Sequence, residues 1–217
     1  MTADKHRRFP GTAGPHRAAR AVLAVGAVAL LGAVGTAIGH AEPPAGALTP
    51  GGFSAADTGT EVDAMEQLKA GYCADIDAKN WDGLRQLLAE DVVVDTTASA
   101  GPVIVGRDPF IAFLKTTLGA ANTHHQVFDP QITVHSATSA EGVWRMEDVL
   151  IFGGTLGVHG YGHYTERYEN SGSGWVIAYS KLTRTRIDLI NPADGSVIQS
   201  DVSVDEVAAK IRAIIGG

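Results

Sequence analysis

The run from Val143 to Phe152 alternates between two faces, and one of them carries Trp144, Met146, Asp148, Leu150 and Phe152. Asp148 is the one charge on that apolar, aromatic-rich face. Burying a carboxylate in such surroundings is costly unless a partner compensates it. An edge carboxylate open to solvent is the bland alternative. A functional partner is the stronger reading, and histidine is the usual one in acid–base chemistry. Five histidines follow residue 41: His124, His125, His135, His159 and His163. Their spacing fits no standard zinc motif, and no carboxylate at helical spacing completes one, so no metal is expected. Adjacent strand residues point to opposite faces, so only one of His124 and His125 can enter an interior. Pro130 can mark a bulge that resets the alternation, which leaves that choice open. Tyr72 is centred on the apolar face of a helical pattern with Met65, Leu68 and Ile76. It is either a plain core tyrosine or a hydrogen-bonding group inside a pocket.

Two kinds of element must position these groups. Apolar residues recur at helical spacing from about Glu61 to Asn80. Asn80 can cap a second short helix, Trp81 to Glu90, followed by a strand from Asp91 to Thr96. Asp108-Pro109 reads as an N-cap with proline at the first helical position, opening a third helix through Leu118. The period then changes to two, with strand-like runs at 123–135, 141–152, 158–169 and 174–189. Ser203 and Glu206 form a capping box for a last amphipathic helix that carries Val204, Val207 and Ile211. Helices first and a long sheet afterwards is an α+β plan. The expected architecture is a cone: a curved antiparallel sheet closed by three N-terminal helices, with an extra C-terminal helix. Its apolar interior suits a small-molecule pocket.

Composition bounds the possibilities further. The 217 residues include 45% apolar and 19% charged, enough for one ordinary domain. The single Cys73 excludes an internal disulfide framework and a cysteine-rich metal site. A formal charge of -7 speaks against a nucleic-acid partner. Residues 1–41 hold five basic residues and one acid, whereas the remainder holds 12 basic and 23 acidic. The basic stretch ends at Arg20, and Ala21 to Gly39 is uncharged, with small residues at Gly39 and Ala41. This reads as an export signal or a transmembrane anchor, with the domain outside the cytoplasmic membrane in either case. Any membrane contact is confined to this segment. Residues 42–59, rich in Pro, Gly and Ala, read as a flexible linker. The domain then spans 60–190, and 191–217 form a C-terminal extension.

With these residues in place, the chain resembles a known family. Gln67-Leu68-Lys69-Ala70-Gly71-Tyr72 followed by Asp77 and Trp81-Asp82 resembles the opening of SnoaL-like proteins in the nuclear transport factor 2-like superfamily. The likeness continues through Thr123-His124-His125, Pro130-Gln131-Ile132-Thr133, Trp144 with Glu147-Asp148, and Tyr164-Thr165-Glu166-Arg167-Tyr168. Within that family the motifs are most similar to the bile acid 7α-dehydratase group. The resemblance implies a catalytic set of Tyr72, Asp77, His125, Asp148 and Arg184, with no cofactor. It implies His125 as a base whose tautomer Asp148 fixes, while Tyr72, helped by Asp77 or Arg184, polarises a carbonyl or protonates a leaving oxygen. Asp77 conflicts with the helical reading, because it lies about 140° around the helix from Tyr72 and Asp75 is angularly closer. The implied reaction is that of a dehydratase, with an isomerase or a cyclase sharing the same first step. The expected partner is a small apolar or aromatic ligand. An exported ligand-binding domain on the same fold is the alternative, which the glycine-rich segment 153–157, at the place expected for a lid, keeps open. The outer sheet face, with Arg145, Glu147 and Arg167, is a candidate homo-oligomer contact.

Overall fold

The structure, a computed structural model, describes residues 55–215. The export segment and the linker up to residue 54 lie outside the described residues. Helix α1 (Ala55–Ala78) begins five residues earlier than the linker boundary read from the sequence. It buries Met65, Leu68, Tyr72 and Ile76 on one face, as their spacing predicts. The helix ends at Lys79, whose φ of 58° turns the chain, and Asn80 caps α2 (Trp81–Gln86) by accepting from the Gly83 N–H at 3.2 Å. That helix is shorter than expected because strand β1 (Leu88–Asp95) has already begun. A short strand, β2 (Val103–Val105), follows. Helix α3 (Arg107–Leu118) is capped by Gly106, not by Asp108. Asp108 lies in its first turn, where it favours the helix dipole and pairs with Arg85.

Four long strands come next: β3 (Asn122–Ser136), β4 (Ser139–Phe152), β5 (Leu156–Asn170) and β6 (Trp175–Ile190). Short β7 (Val197–Gln199) and helix α4 (Val204–Ile215) end the described chain. The Ser203 hydroxyl accepts from the Glu206 N–H at 3.2 Å, one half of the expected capping box. The strand order is β2-β1-β6-β5-β4-β3, with β7 also on β6. The sheet is mixed rather than antiparallel, because β1 runs parallel to β6, with Val94 opposite Ser180. Four intervening strands separate the two in sequence, and so long a crossover permits the parallel direction. Register shifts in β3 between Phe128 and Gln131, around Pro130, as its sequence position predicts.

The glycine-rich segment after β4 is a hairpin turn, not a lid. Gly153 and Gly154 both have positive φ (56° and 69°), and the Thr155 N–H closes the turn on the Phe152 carbonyl at 3.1 Å. Two consecutive positive φ values are the geometry that joins twisted strands in a tight hairpin. The covering element is α4. Val207 buries itself against the cluster of Leu150, Phe152, Val158, Ile187 and Leu189, each such side chain contributing ~1.5–3 kcal/mol on full burial. A second, larger core joins the other helices to the sheet through Leu84, Leu88, Phe110, Leu114 and Ile177. Between the two cores lies a cavity of about 250 Å³.

Candidate active site

Strand β4 presents Trp144, Met146, Asp148, Leu150 and Phe152 to the interior, and Asp148 is 2% exposed. Its compensating partner is an arginine. Arg184 on β6 forms a bidentate pair with it, Nη1 to Oδ1 at 2.7 Å and Nη2 to Oδ2 at 2.5 Å. Burial disfavours the Arg184 cation, but the Asp148 charge and hydrogen bonds more than offset this and hold its pKa above the ordinary value. The pair spans β5 at Gly160, which lies directly opposite Asp148. A Cβ there would overlap Arg184 Nη1 and come within 2.5 Å of Asp148 Oδ1.

His125, opposite Asp148 across the β3–β4 ladder, is the interior histidine: its side chain is 7% exposed against 68% for His124. The carboxylate that orients it is Asp77. His125 Nδ1 lies 2.6 Å from Asp77 Oδ1, and the His125 backbone N–H donates to Asp77 Oδ2 at 2.8 Å. Thr123 donates to the same carboxylate at 2.9 Å and itself accepts from Lys79 Nζ at 2.7 Å. Asp148 stands on the other side of the ring, its Oδ2 4.0 Å from Nε2. The expectation that Asp148 fixes the tautomer is therefore corrected, since that geometry belongs to Asp77. The helical angle misleads because Asp77 occupies the last turn of α1 and faces β3 rather than the cavity. Asp75 accepts from Asn80 Nδ2 at 2.7 Å and serves the α1–α2 turn.

Burial raises the pKa of Asp77, but the side-chain and backbone hydrogen bonds from His125 outweigh it and leave the carboxyl below its usual range. A depressed carboxyl favours the folded state when ionised. Its contribution is complete above the unfolded value of ~3.9 and is lost as pH falls through the lower folded value. Acid unfolding followed by circular dichroism is expected to show a shallower loss of stability below about pH 4 in Asp77→Asn than in the wild type. Equal slopes would show that Asp77 does not carry this dependence.

Tyr72 and Tyr164 stand edge to face at 6.4 Å, and both line the cavity. Neither hydroxyl bonds to another described residue, so both are free to donate into the cavity. Burial pushes both phenols well above the usual tyrosine range, with the Glu166 charge adding to the shift at Tyr72. Neither Asp77 nor Arg184 supports Tyr72, since each is committed to its own partner. Behind the two rings lies a group the sequence reading passed over: Lys69 and Glu166, both fully buried and 2.6 Å apart. Buried Cys73 is no nucleophile, because burial pushes its thiol up to about 11. His159 lies outside this site and pairs with Glu147 at 3.2 Å, while Arg145 pairs with Asp129 at 2.6 Å. Among the described residues, no three His, Cys, Asp or Glu side chains are placed to hold a metal.

Most of the rest of the wall is apolar, with Thr96, Thr117, Ser180 and Arg212 among the exceptions. Phe110, Phe113 and Leu114 come from α3, Leu150 and Phe152 from β4, and Val204, Val207 and Ile211 from α4. His125, Asp148, Arg184 and the two tyrosines all border this largely apolar space. Such a site can take a proton from carbon and stabilise the charge that results.

Known structures share this architecture. A candidate scytalone dehydratase from Novosphingobium aromaticivorans is 20% identical, with a TM-score of 0.55 over 60% of this chain and 87% of its own. A hexachlorocyclohexane dehydrochlorinase from Novosphingobium barchaimii is 14% identical, with a TM-score of 0.57 over 63% and 94%. A protein of unknown function from Mycobacterium tuberculosis is 21% identical, with a TM-score of 0.57 over 79% and 91%. At these identities the likeness is one of fold, the nuclear transport factor 2-like fold. Residues 58–181, more than half of the sequence and most of the cavity wall, match the SnoaL-like domain, and the chain belongs to that family.

Proposed function

We propose that the chain is a cofactor-independent lyase of the dehydratase type, acting on a small polycyclic or aromatic substrate. The observation that carries this reading is the line from Asp77 through His125 to the cavity. A carboxylate 2.6 Å from Nδ1 keeps the proton on that nitrogen and leaves Nε2 as a base facing the cavity. Nε2 takes a proton from the carbon next to a carbonyl, and the C–H electron pair moves onto the carbonyl oxygen as an enolate. The returning pair forms the new C=C bond as the β-hydroxyl leaves as water, taking the proton that the His125 imidazolium gives back. Tyr72 and Tyr164 donate to the oxygen that gains charge. Asp77 continues to hold the Nδ1 proton of the imidazolium that forms. An isomerase shares the first step and differs by returning the proton to another carbon.

Two neighbours of the fold support elimination chemistry, one described as a candidate dehydratase and one as a dehydrochlorinase. The motif likeness to the bile acid 7α-dehydratase group extends the proposal to polycyclic substrates. The leader read from residues 1–41 would place the activity outside the cytoplasmic membrane, which N-terminal sequencing of the exported protein tests.

The test uses deuterium oxide and a set of cyclic β-hydroxy ketones. Wild type is expected to exchange the proton next to the carbonyl and form the enone, and His125→Asn to lose both by at least 10³-fold, within the usual span for a lost acid–base group. Equal exchange by the two proteins would exclude His125 as the base. The largely apolar wall with α4 across it also suits a ligand-binding domain. That reading gains if the folded wild type binds such ketones, exchanges no proton, and keeps its affinity in His125→Asn.

A further inference from the structure

The mechanism above leaves one costly feature unused. Lys69 and Glu166 are fully buried, and a buried ion pair is often no more stabilising than an apolar pair of similar volume. Its surroundings are specific. Lys69 Nζ lies 2.6 Å from Glu166 Oε1, 3.6 Å from the centre of the Tyr164 ring and 4.3 Å from that of Tyr72. The ammonium therefore spends one donor on the carboxylate and faces two ring faces with the rest of its charge. Glu166 is also bonded by Ser180, a cavity-lining residue, at 2.9 Å and by Tyr168 at 2.7 Å. Trp144 Nε1 fixes the Tyr168 hydroxyl at 2.6 Å. Every polar atom of this cluster is held, and its only free ends are the two tyrosine hydroxyls in the cavity.

A cation against the face of a phenol is attracted to its π electrons and favours the electron-rich form of the ring. It makes the hydroxyl a stronger donor to a negative oxygen. The anion behind the cation opposes that effect and keeps the hydroxyl protonated. We propose that Lys69 and Glu166 are positioning residues that act through Tyr72 and Tyr164, setting how strongly these phenols donate to an oxygen that becomes negative in the cavity. This rests on the lyase reading for its purpose, but it predicts a binding property that exists without turnover.

The probe is 4-nitrophenol, whose bound phenol and phenolate are told apart by colour. Titrated with the full-length wild type, it is expected to bind with its apparent pKa lowered, the mark of an anion-preferring cavity. Glu166→Gln, which leaves the cation unbalanced, should increase the preference for the phenolate at least tenfold, read as a shift of one pH unit or more. Adding Lys69→Met to that variant removes the cation, leaves no unpaired buried charge, and should reverse the gain. Lys69→Met alone should lower the preference below that of the wild type. In a Tyr72→Phe/Tyr164→Phe background these shifts should vanish.

A purely structural pair would change the melting temperature and leave the bound-probe pKa in place. That outcome, shifts in the same direction for Glu166→Gln and Lys69→Met, or no binding of the probe by folded wild type, overturns the proposal. If Lys69→Met alone fails to fold, the comparison of Glu166→Gln with the double variant decides. Loss of proton exchange in His125→Asn, or its absence from the wild type, bears on the lyase reading and leaves this titration unaffected.

Discussion

Asp77→Asn is expected to lower the elimination rate about 10⁴-fold while the fold and the cavity persist, the scale at which a wrong histidine tautomer disables a base. Donor and acceptor positions around the His125 ring dictate this loss. Asp77 Oδ2 accepts from the His125 backbone N–H at 2.8 Å, and Oδ1 lies 2.6 Å from Nδ1 and 2.9 Å from Thr123 Oγ1. An asparagine has one oxygen for these two places. The backbone N–H can only donate, so the amide oxygen must face it and the NH₂ group must face Nδ1. Nδ1 then becomes an acceptor, the ring proton moves to Nε2, and the base is lost. The Thr123 hydroxyl, which already accepts from Lys79 Nζ, can also accept from the new NH₂. Nitrogen NMR of the His125 ring should show the tautomer change directly. Asp148→Asn should leave the tautomer as it is, because Asp148 sits 4.0 Å from the other nitrogen. A loss under tenfold in Asp77→Asn, or an unchanged tautomer, would remove Asp77 from this role.

Asp148 was legible in the sequence because a strand's period of two is rigid, and a single charge on an apolar face needs a partner whatever the fold. The identity of that partner was not legible. Arg184 reaches it across an intervening strand, at a place where only a glycine leaves room. Asp77 was hidden for a different reason: a helical wheel assumes one buried face, whereas the end of α1 meets β3 on another side. Lys69 could have been found. It is four residues after Met65 and three before Tyr72, so it lies on their face of the helix, and Glu166 alternates with Tyr164 and Tyr168 on β5. Two charges at apolar positions on different elements signal a buried pair. The parallel β1–β6 contact carries no local mark, since pairing direction depends on the path of the chain between them.

Gly160→Ala is expected to destabilise the domain by about 3–5 kcal/mol, the cost of parting a buried ion pair, and to lower the melting temperature by ~10 °C. A methyl group at this position meets Arg184 Nη1 and Asp148 Oδ1 together, so it must push the guanidinium off the carboxylate or spread the strands. Asp148 is 2% exposed and Arg184 12%, so parting them leaves two largely buried charges without their main partner. The alternative, that glycine is needed for its backbone, fails on geometry, because Gly160 is absent from the positive-φ positions of the chain. A double-mutant cycle separates the remaining possibilities. In an Asp148→Asn/Arg184→Met background the charges are gone, and that background itself should fold with little loss, as paired removal of buried charges usually does. There Gly160→Ala should cost at least 2 kcal/mol less than in the wild type, a coupling within the range found for residues in one network. An equal cost in both backgrounds would mean that strand spacing, not the ion pair, requires the glycine. The pair would then be a passenger on a sheet that is close for other reasons.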